Sequence, residues 1–573
     1  MRGIAGYARR HIALAMVAAL TVTMAGACTA DTPKPETVAS KPGEGGTVRV
    51  FTQTLETLDP QRVYVITGLN VSTLITRTLT TFTAKPGEKP KLVGDLATDT
   101  GKPNKDNTSW TYTLRDGVKW QDGTELSCED VRYGVLRNFD VRRKDAKITG
   151  GPSYPTEWLD VPEDYEGPKG DKSDKDLSGV TCENKRTIRF DLKEPQANFP
   201  SAVNLPAFSP VPEQHDTWAD YGEEPVSTGP YKLSSYKPSK GDTPGRAVFE
   251  RNRFWDSETD KIRDAKPDKI ILELGKDPEE VAQQIVSDNP GYDNAVLYDS
   301  VPNKFVSQVV NDKQLKKQTV SGSTSGVTYM AINTETVEGR DCRRALMYAF
   351  NKSKYMDAIG GDVFGDYATT MLPPSDPAHR DHDVYGLDGD PDGDLDKARE
   401  LLEEAKGCPE SLTLDVQDTE RGERTGDTIA ETFGRLGITV KVNKIAPNKY
   451  FDTLSQPDKL HDLTIASWIP DWPGGSGVIP ALFDGDLIKP GLNSNYSKLD
   501  DPKINERIDE ASMETDRKRS YELWADLDEQ IQKEAAVVPI VYPKALNLCG
   551  VDVRGGVLNP QWGGIDFASL GVK

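Results

Sequence analysis

Between residues 395 and 542 the chain alternates a helical hydrophobic period of about 3.6 residues with a strand period of two, which restricts this half to a layered α/β architecture. Leu395, Ala398, Leu401, Leu402 and Ala405 form one helical stripe, with Gly407 placed to end it. Leu412, Leu414 and Val416 alternate as a strand. A helix is predicted over 424–436 with Gly437 as its stop, and Ile438, Val440 and Val442 make the next strand. After a short helix, Leu463 and Ile465 mark a strand that runs to Trp468. Helices over 503–513 and 516–534 follow, the second carrying Tyr521, Trp524, Leu527 and Ile531, before a last strand from Val537 to Tyr542.

The first half is less regular. Val48 and Val50 alternate with polar neighbours and predict a strand over Thr47–Thr52. Trp110 to Leu114 and Val118 to Trp120 read as strands joined by a turn at Asp116-Gly117, with a second turn at Asp122-Gly123, because Asp-Gly pairs between alternating runs favour hairpins. Ser127 to Asn138 reads as a helix with Val131, Val135 and Leu136 on one side. Residues 160–178 are polar and rich in Gly and Pro, which predicts an exposed loop.

At the N-terminus Arg2, Arg9 and Arg10 precede an apolar segment from Ile12 to Ala25, the length of a secretory signal core and too short to span a bilayer. It ends in Ala25-Gly26-Ala27-Cys28, which resembles the lipobox of bacterial lipoproteins. That resemblance implies a signal peptide over 1–27 and a lipidated Cys28. Residues 28–45 then read as a flexible tether, since Pro, Thr, Lys and Gly bury too little surface to fold. Arg9-Arg10 leaves twin-arginine export open beside the general route. The whole chain is 28% charged with a mean hydropathy of −0.58. Past its N-terminus it holds no uninterrupted apolar run near the roughly 18–20 residues a membrane span needs. The 573 residues carry 70 Lys and Arg against 91 Asp and Glu, a net charge of −21. Such a balance excludes nucleic acid as a partner, because phosphates demand a basic face.

Five cysteines follow Cys28, and none has the close spacing of a zinc site. In an exported protein they can oxidise. The pairs expected are Cys128 with Cys182 and Cys342 with Cys408, leaving Cys549 free, although spacing alone leaves other pairings open.

Eight blocks in order carry a resemblance to a known family. They are Leu58-Asp59-Pro60, Leu114-Arg-Asp-Gly-Val-Lys-Trp-Gln-Asp-Gly123, Pro206-Ala-Phe-Ser-Pro210 and Ser227-Thr-Gly-Pro-Tyr231. Next come Ala331-Ile-Asn333, Arg343-Arg-Ala-Leu-Met-Tyr-Ala-Phe350, Lys397 to Ala405 and Ser467-Trp-Ile-Pro-Asp471. Together they resemble the family 5 extracellular solute-binding proteins of ABC importers, which include oligopeptide- and dipeptide-binding proteins. The resemblance implies a periplasmic-binding-protein-like α/β fold of two lobes that close about a hinge, with an additional inserted domain. Carried onto this chain, the first lobe is 46–75 plus 180–268 plus 540–573, the inserted domain 76–179 and the second lobe 269–539.

The resemblance also implies a site. Asp471 matches the family's acidic residue that pairs with a ligand's α-ammonium group, and a cation enters a closed cleft only when an anion meets it. Trp468 and Trp472 are expected as rigid apolar walls. The backbones of Ser467 and Ile469 are expected along one side, with Tyr64 and Ile66 along the other and Tyr329 and Asn333 as further contacts. An extended peptide can add to such edges as a strand. The turn departs from the family's common Asp-Tyr-x-Asp-Pro form by reading Asp471-Trp-Pro-Gly-Gly475, which leaves the solute class open.

Two acidic or histidine clusters compete for attention. Asp388-x-Asp390-x-Asp392-Gly393-x-x-Asp396 resembles a calcium loop, but Arg399 occupies the position of the closing Glu, and a helix-capping role fits equally. His379 and His382 lie in a Pro- and Asp-rich loop. No metal or cofactor is expected. With five histidines and no H-E-x-x-H, G-x-S-x-G or phosphate-loop pattern, the chain reads as a binding protein and not an enzyme. The expectation is a monomeric, lipid-anchored protein on the outer face of the cell membrane. It would deliver peptides to ABC permease subunits driven by cytoplasmic ATPases. Binding of a nickel chelate, haem or oligosaccharide, a ligand-sensing receptor and a secreted hydrolase are the alternatives.

Overall fold

A computed structural model describes residues 42–83, 90–143, 150–170, 177–240, 243–386, 390–405, 408–491, 493–559, 561 and 563–573. Cys28 and the tether as far as residue 41 lie outside the described residues, as do Asp388 and Gly407. No helix among the described residues is long and apolar enough to cross a membrane.

The molecule is an α/β protein of two lobes whose sheets share one strand. Val537–Cys549 is that strand, almost wholly buried. Its first half pairs with Val327–Ile332, which continues through Leu463–Trp468 to Ser411–Gln417 and Thr439–Ile445. Its second half pairs with Thr319–Ser323 and Ala295–Leu297, and the sheet continues through Thr47–Thr52, Lys269–Leu274, Gly245–Arg251 and Tyr231–Lys237. Two stretches of chain therefore cross between the lobes side by side, near Thr324 and near Pro543. Val327–Ile332 is buried along its length, as a central strand covered on both faces should be.

The second lobe follows its periodicity closely. Helix Leu395–Glu404 buries Ala398 and Leu401 and starts at Asp394, whose carboxylate accepts from Lys397 N–H at 2.8 Å. Capping is thus what Asp394 does, and Asp396 pairs with Arg399 at 2.8 Å. Helix Glu420–Gly434 begins four residues before the expectation because Thr419 caps it. Gly437 then takes a φ of 82°, the left-handed region that stops a helix.

Three expectations are corrected. Val118–Trp120 is not a strand paired to its neighbour. Ser109–Thr113 pairs instead with Thr187–Asp191, which brings Tyr112 and Phe190 into one aromatic core. The segment 160–178 is not simply exposed, since Val161 and Tyr165 are 2% and 1% exposed and pack with Phe139. The lobe boundaries also move. Lys269–Leu274 and Ala295–Leu297 run parallel to Thr47–Thr52, so the first lobe extends past residue 268. The inserted domain likewise extends past residue 179, because Val180, Phe190, Phe199 and Phe208 share its core. Disulfides join Cys128 to Cys182 within that domain and Cys342 to Cys408 in the second lobe, while Cys549 is free and buried.

Candidate functional site

Parallel strands in α/β proteins present ligands beyond their carboxyl ends. Both lobes aim such ends at one cleft. From the first lobe come the residues after Thr47–Thr52 and Ala295–Leu297, and from the second those after Ser411–Gln417 and Leu463–Trp468. The cleft has two chambers of about 430 and 460 Å³. Ile66, Phe451, Ser467 and Ile469 line both, so the chambers adjoin.

Six of the residues singled out in the sequence line the first chamber: Tyr64, Ile66, Ser467, Trp468, Ile469 and Asp471. Asp471 is 5% exposed. Its Oδ2 accepts hydrogen bonds from the Tyr64 hydroxyl at 2.8 Å and the Tyr154 hydroxyl at 2.5 Å. Burial pushes its carboxyl up to about 7, against the pull of those two phenols. No cation among the described residues pairs with it, so its charge awaits a partner from outside. Tyr64 meets the Trp468 ring edge-on, 6.1 Å between centroids, and Trp468 Nε1 donates to the Gly477 carbonyl at 3.0 Å. The Ser467 hydroxyl shares a hydrogen bond with Thr328 at 2.7 Å. Ile469 has no backbone hydrogen bond among the described residues, which leaves its N–H and C=O open to a ligand's main chain.

Three of the singled-out residues stand elsewhere. Trp472 is fully buried, not a wall of the cleft. Its ring packs against Tyr154 at 4.9 Å and Trp158 at 6.1 Å in the core of the inserted domain. An indole gains more from complete burial there than from one wet face. Tyr329 is 2% exposed in the second-lobe core. Asn333 is held by local structure, its amide donating to the His461 carbonyl and accepting from Glu335 N–H. Neither lines either chamber.

Four cleft residues had no signal in the sequence. Tyr154 comes from the inserted domain, 317 residues from its partner Asp471. Phe451 stands 38% exposed between the chambers, an apolar platform beside open space. Arg421, in the first turn of Glu420–Gly434, lies 4.7 Å over the Phe364 ring and makes no hydrogen bond or ion pair among the described residues. Asp299 follows strand Ala295–Leu297 in the second chamber. Glu56, Asp452 and Asp471 set three carboxylates in the first chamber against Lys459 alone, so that end of the cleft is anionic. Among the described residues no group of three or more His, Cys, Asp and Glu could hold a metal. His379 Nδ1 lies 2.7 Å from the Leu372 carbonyl, and His382 lies 3.9 Å from Asp528.

Comparison with known proteins fits this geometry. Residues 91–488 match the profile of bacterial extracellular solute-binding proteins, family 5 (middle). The dipeptide-binding protein DppE of Bacillus subtilis (strain 168) is 23% identical over 480 residues, 80% of each chain. The solved structure of clavulanic acid biosynthesis oligopeptide binding protein 2 is 31% identical, with a TM-score of 0.83 over 94% of this chain and 99% of that one. The fold is also that of Haemophilus influenzae OppA in complex with RPPGFSPFR, 18% identical with a TM-score of 0.74 over 93% of this chain and 100% of that one.

Proposed function

This chain belongs to the bacterial extracellular solute-binding proteins of family 5, and from that premise we propose that it captures short peptides between its lobes and delivers them to the permease of an ABC importer. One observation carries the choice of a peptide over a neutral solute. Asp471 is a buried carboxylate at the wall of the cleft with hydroxyl donors but no cation among the described residues. A ligand α-ammonium supplies that cation, whereas a sugar has none to offer. The ligand main chain then runs along Ile469 and the 64–66 segment, over Phe451, and its carboxylate meets the unpaired guanidinium of Arg421. The names of the relatives, dipeptide- and oligopeptide-binding proteins, support the same reading.

Binding draws the lobes together because a ligand that touches both favours the state in which they meet. The Asp471 to Tyr154 hydrogen bond and the Lys489–Glu157 ion pair, 3.1 Å, already join the second lobe to the inserted domain. The permease would read that closed form. Cys28, acylated after removal of residues 1–27, would anchor the monomer to the outer membrane face through the tether. Mass measurement of membrane-extracted protein tests this, and a mature chain without a diacylglycerol adduct on Cys28 sinks it.

Calorimetry with unblocked and N-acetylated peptides tests the ligand, after native mass spectrometry of the purified protein has weighed whatever remains bound. Unblocked peptides should bind far more tightly than acetylated ones. The pH dependence adds a second check. Asp471 in the empty cleft titrates at about 7, and an ammonium group requires its charged form. Affinity for unblocked peptides should therefore fall up to about tenfold for each pH unit below 7, and fall again above about pH 8 as the ligand's own α-amino group loses its proton. Equal binding of both peptide forms at every pH would overturn the assignment.

A further inference from the structure

We propose that the second chamber of the cleft holds a cationic side chain of the bound peptide, an ammonium or guanidinium group, between Asp299 and Asn547. This rests on the peptide reading and narrows it to peptides that carry lysine or arginine.

The two residues face the problem from adjacent elements. Asp299 Oδ1 accepts from the Thr52 hydroxyl at 3.4 Å, but its Oδ2 is buried with no partner. Asn547, 3% exposed on the shared strand, donates its amide N–H to the Tyr298 carbonyl, next in the chain to Asp299, and its Oδ1 is also buried without a partner. Turning the amide over would set its oxygen against the Tyr298 carbonyl, so this orientation is fixed. The wall of one chamber thus holds two acceptors that lack a donor.

Among the described residues no cation fills the gap. Lys544, in the same wall, is paired with Asp366. Arg421 makes no ion pair with Asp299 or any other described residue. A buried acceptor left unpaired costs about 1–3 kcal/mol, and more when it carries charge. Burial accordingly pushes the Asp299 carboxyl up to about 7, although the Gln53 N–H and the Thr52 hydroxyl pull it down. A group that donates several hydrogen bonds, accepts none and brings positive charge would satisfy both acceptors and hold Asp299 in its charged form. Ammonium has three N–H donors and guanidinium five, and neither has an acceptor. A hydroxyl or a water brings no charge.

Reach is consistent with this. A peptide held at Asp471 by its α-ammonium passes Ile469 and Phe451, which border both chambers, so a side chain beyond the first residue enters the second. Asp299 and Asn547 then select the charge of that side chain, while Asp471 selects the free amino end.

The test is calorimetry on the mature protein with alanine peptides of about two to five residues. Each is compared with versions carrying lysine, or its uncharged analogue norleucine, at one position. Lysine at one position after the first should bind about tenfold or more tighter than norleucine. Asp299→Asn should erase that difference while alanine peptides keep their affinity, which also shows the variant to be folded. Equal binding of lysine and norleucine at every position, or a lysine preference that survives Asp299→Asn, would overturn the subsite and leave the peptide reading intact. Failure of every peptide, lysine-bearing ones included, would overturn both.

Discussion

Asp471→Ala is expected to weaken binding of unblocked peptides by about 2–5 kcal/mol, roughly 30-fold to several thousand-fold, and to leave N-acetylated peptides unchanged. The magnitude follows from burial. A carboxylate 5% exposed attracts an ammonium group across little screening water. Removing it leaves the ligand's charge buried beside two phenols whose hydroxyls have lost their acceptor. Asp471→Asn separates charge from packing. Its amide oxygen still accepts from Tyr64 or Tyr154, so the lobes should meet as before, yet the attraction is gone. Calorimetry above pH 7, where the wild-type carboxyl is charged, gives the clean comparison. If Asp471→Asn binds unblocked peptides as tightly as wild type, Asp471 orders the lobes and takes no part in recognition.

The sequence made Asp471 visible and hid its partners, for a physical reason. A carboxylate at the end of an alternating strand, set between two tryptophans, sits at the carboxyl edge of a sheet wherever that strand pairs. Which tryptophan faces the ligand depends on which surface closes over the turn. Hydrophobicity does not encode that. Trp468 stayed in the cleft, and Trp472 crossed into the inserted domain beside Trp158. Tyr154 and Arg421 matter only because distant chain segments fold against the same space.

The same division holds for the fold. Thr47–Thr52 was legible to the residue, because Val48 and Val50 carry their own alternation. Its neighbour Lys269–Leu274 lies more than 200 residues away, and no local pattern names a partner at that distance. Asp116-Gly117 shows the converse failure. The turn is real, with Gly117 at a φ of 75°, but Ser109–Thr113 gains more by pairing with Thr187–Asp191. A turn signal sets a bend and leaves the strand free to choose its mate.

Arg137→Met is expected to destabilise the protein by about 3–5 kcal/mol, the cost of breaking a buried ion pair by removing one side. Arg137 is fully buried where the inserted domain meets the first lobe. It donates to both oxygens of Asp59 at 3.0 and 2.9 Å and lies 3.2 Å from Asp216 and 4.8 Å over the Tyr221 ring. Burial pushes the Asp59 carboxyl up, but the charge and paired hydrogen bonds of Arg137 more than offset this and hold it below its usual range. A carboxyl lowered in the folded state stabilises above its unfolded value near 4 and loses that contribution as the pH falls further. Without Arg137 the sign reverses. Asp59 keeps the Gln61 N–H and the nearby charge of Arg62 but loses its paired hydrogen bonds in a buried setting, so the variant should regain stability on mild acidification, where the wild type gains none from this group. Asp216 keeps donors from Tyr133 and Trp218, at 2.8 Å each, and therefore suffers less. Thermal unfolding of Arg137→Met and of Arg137→Met with Asp59→Asn, each followed from neutral pH to about pH 5, checks this. The double variant should recover much of the loss, because no charge is then stranded at position 59. If both variants unfold at the same temperature, the network is not what joins the inserted domain to its lobe.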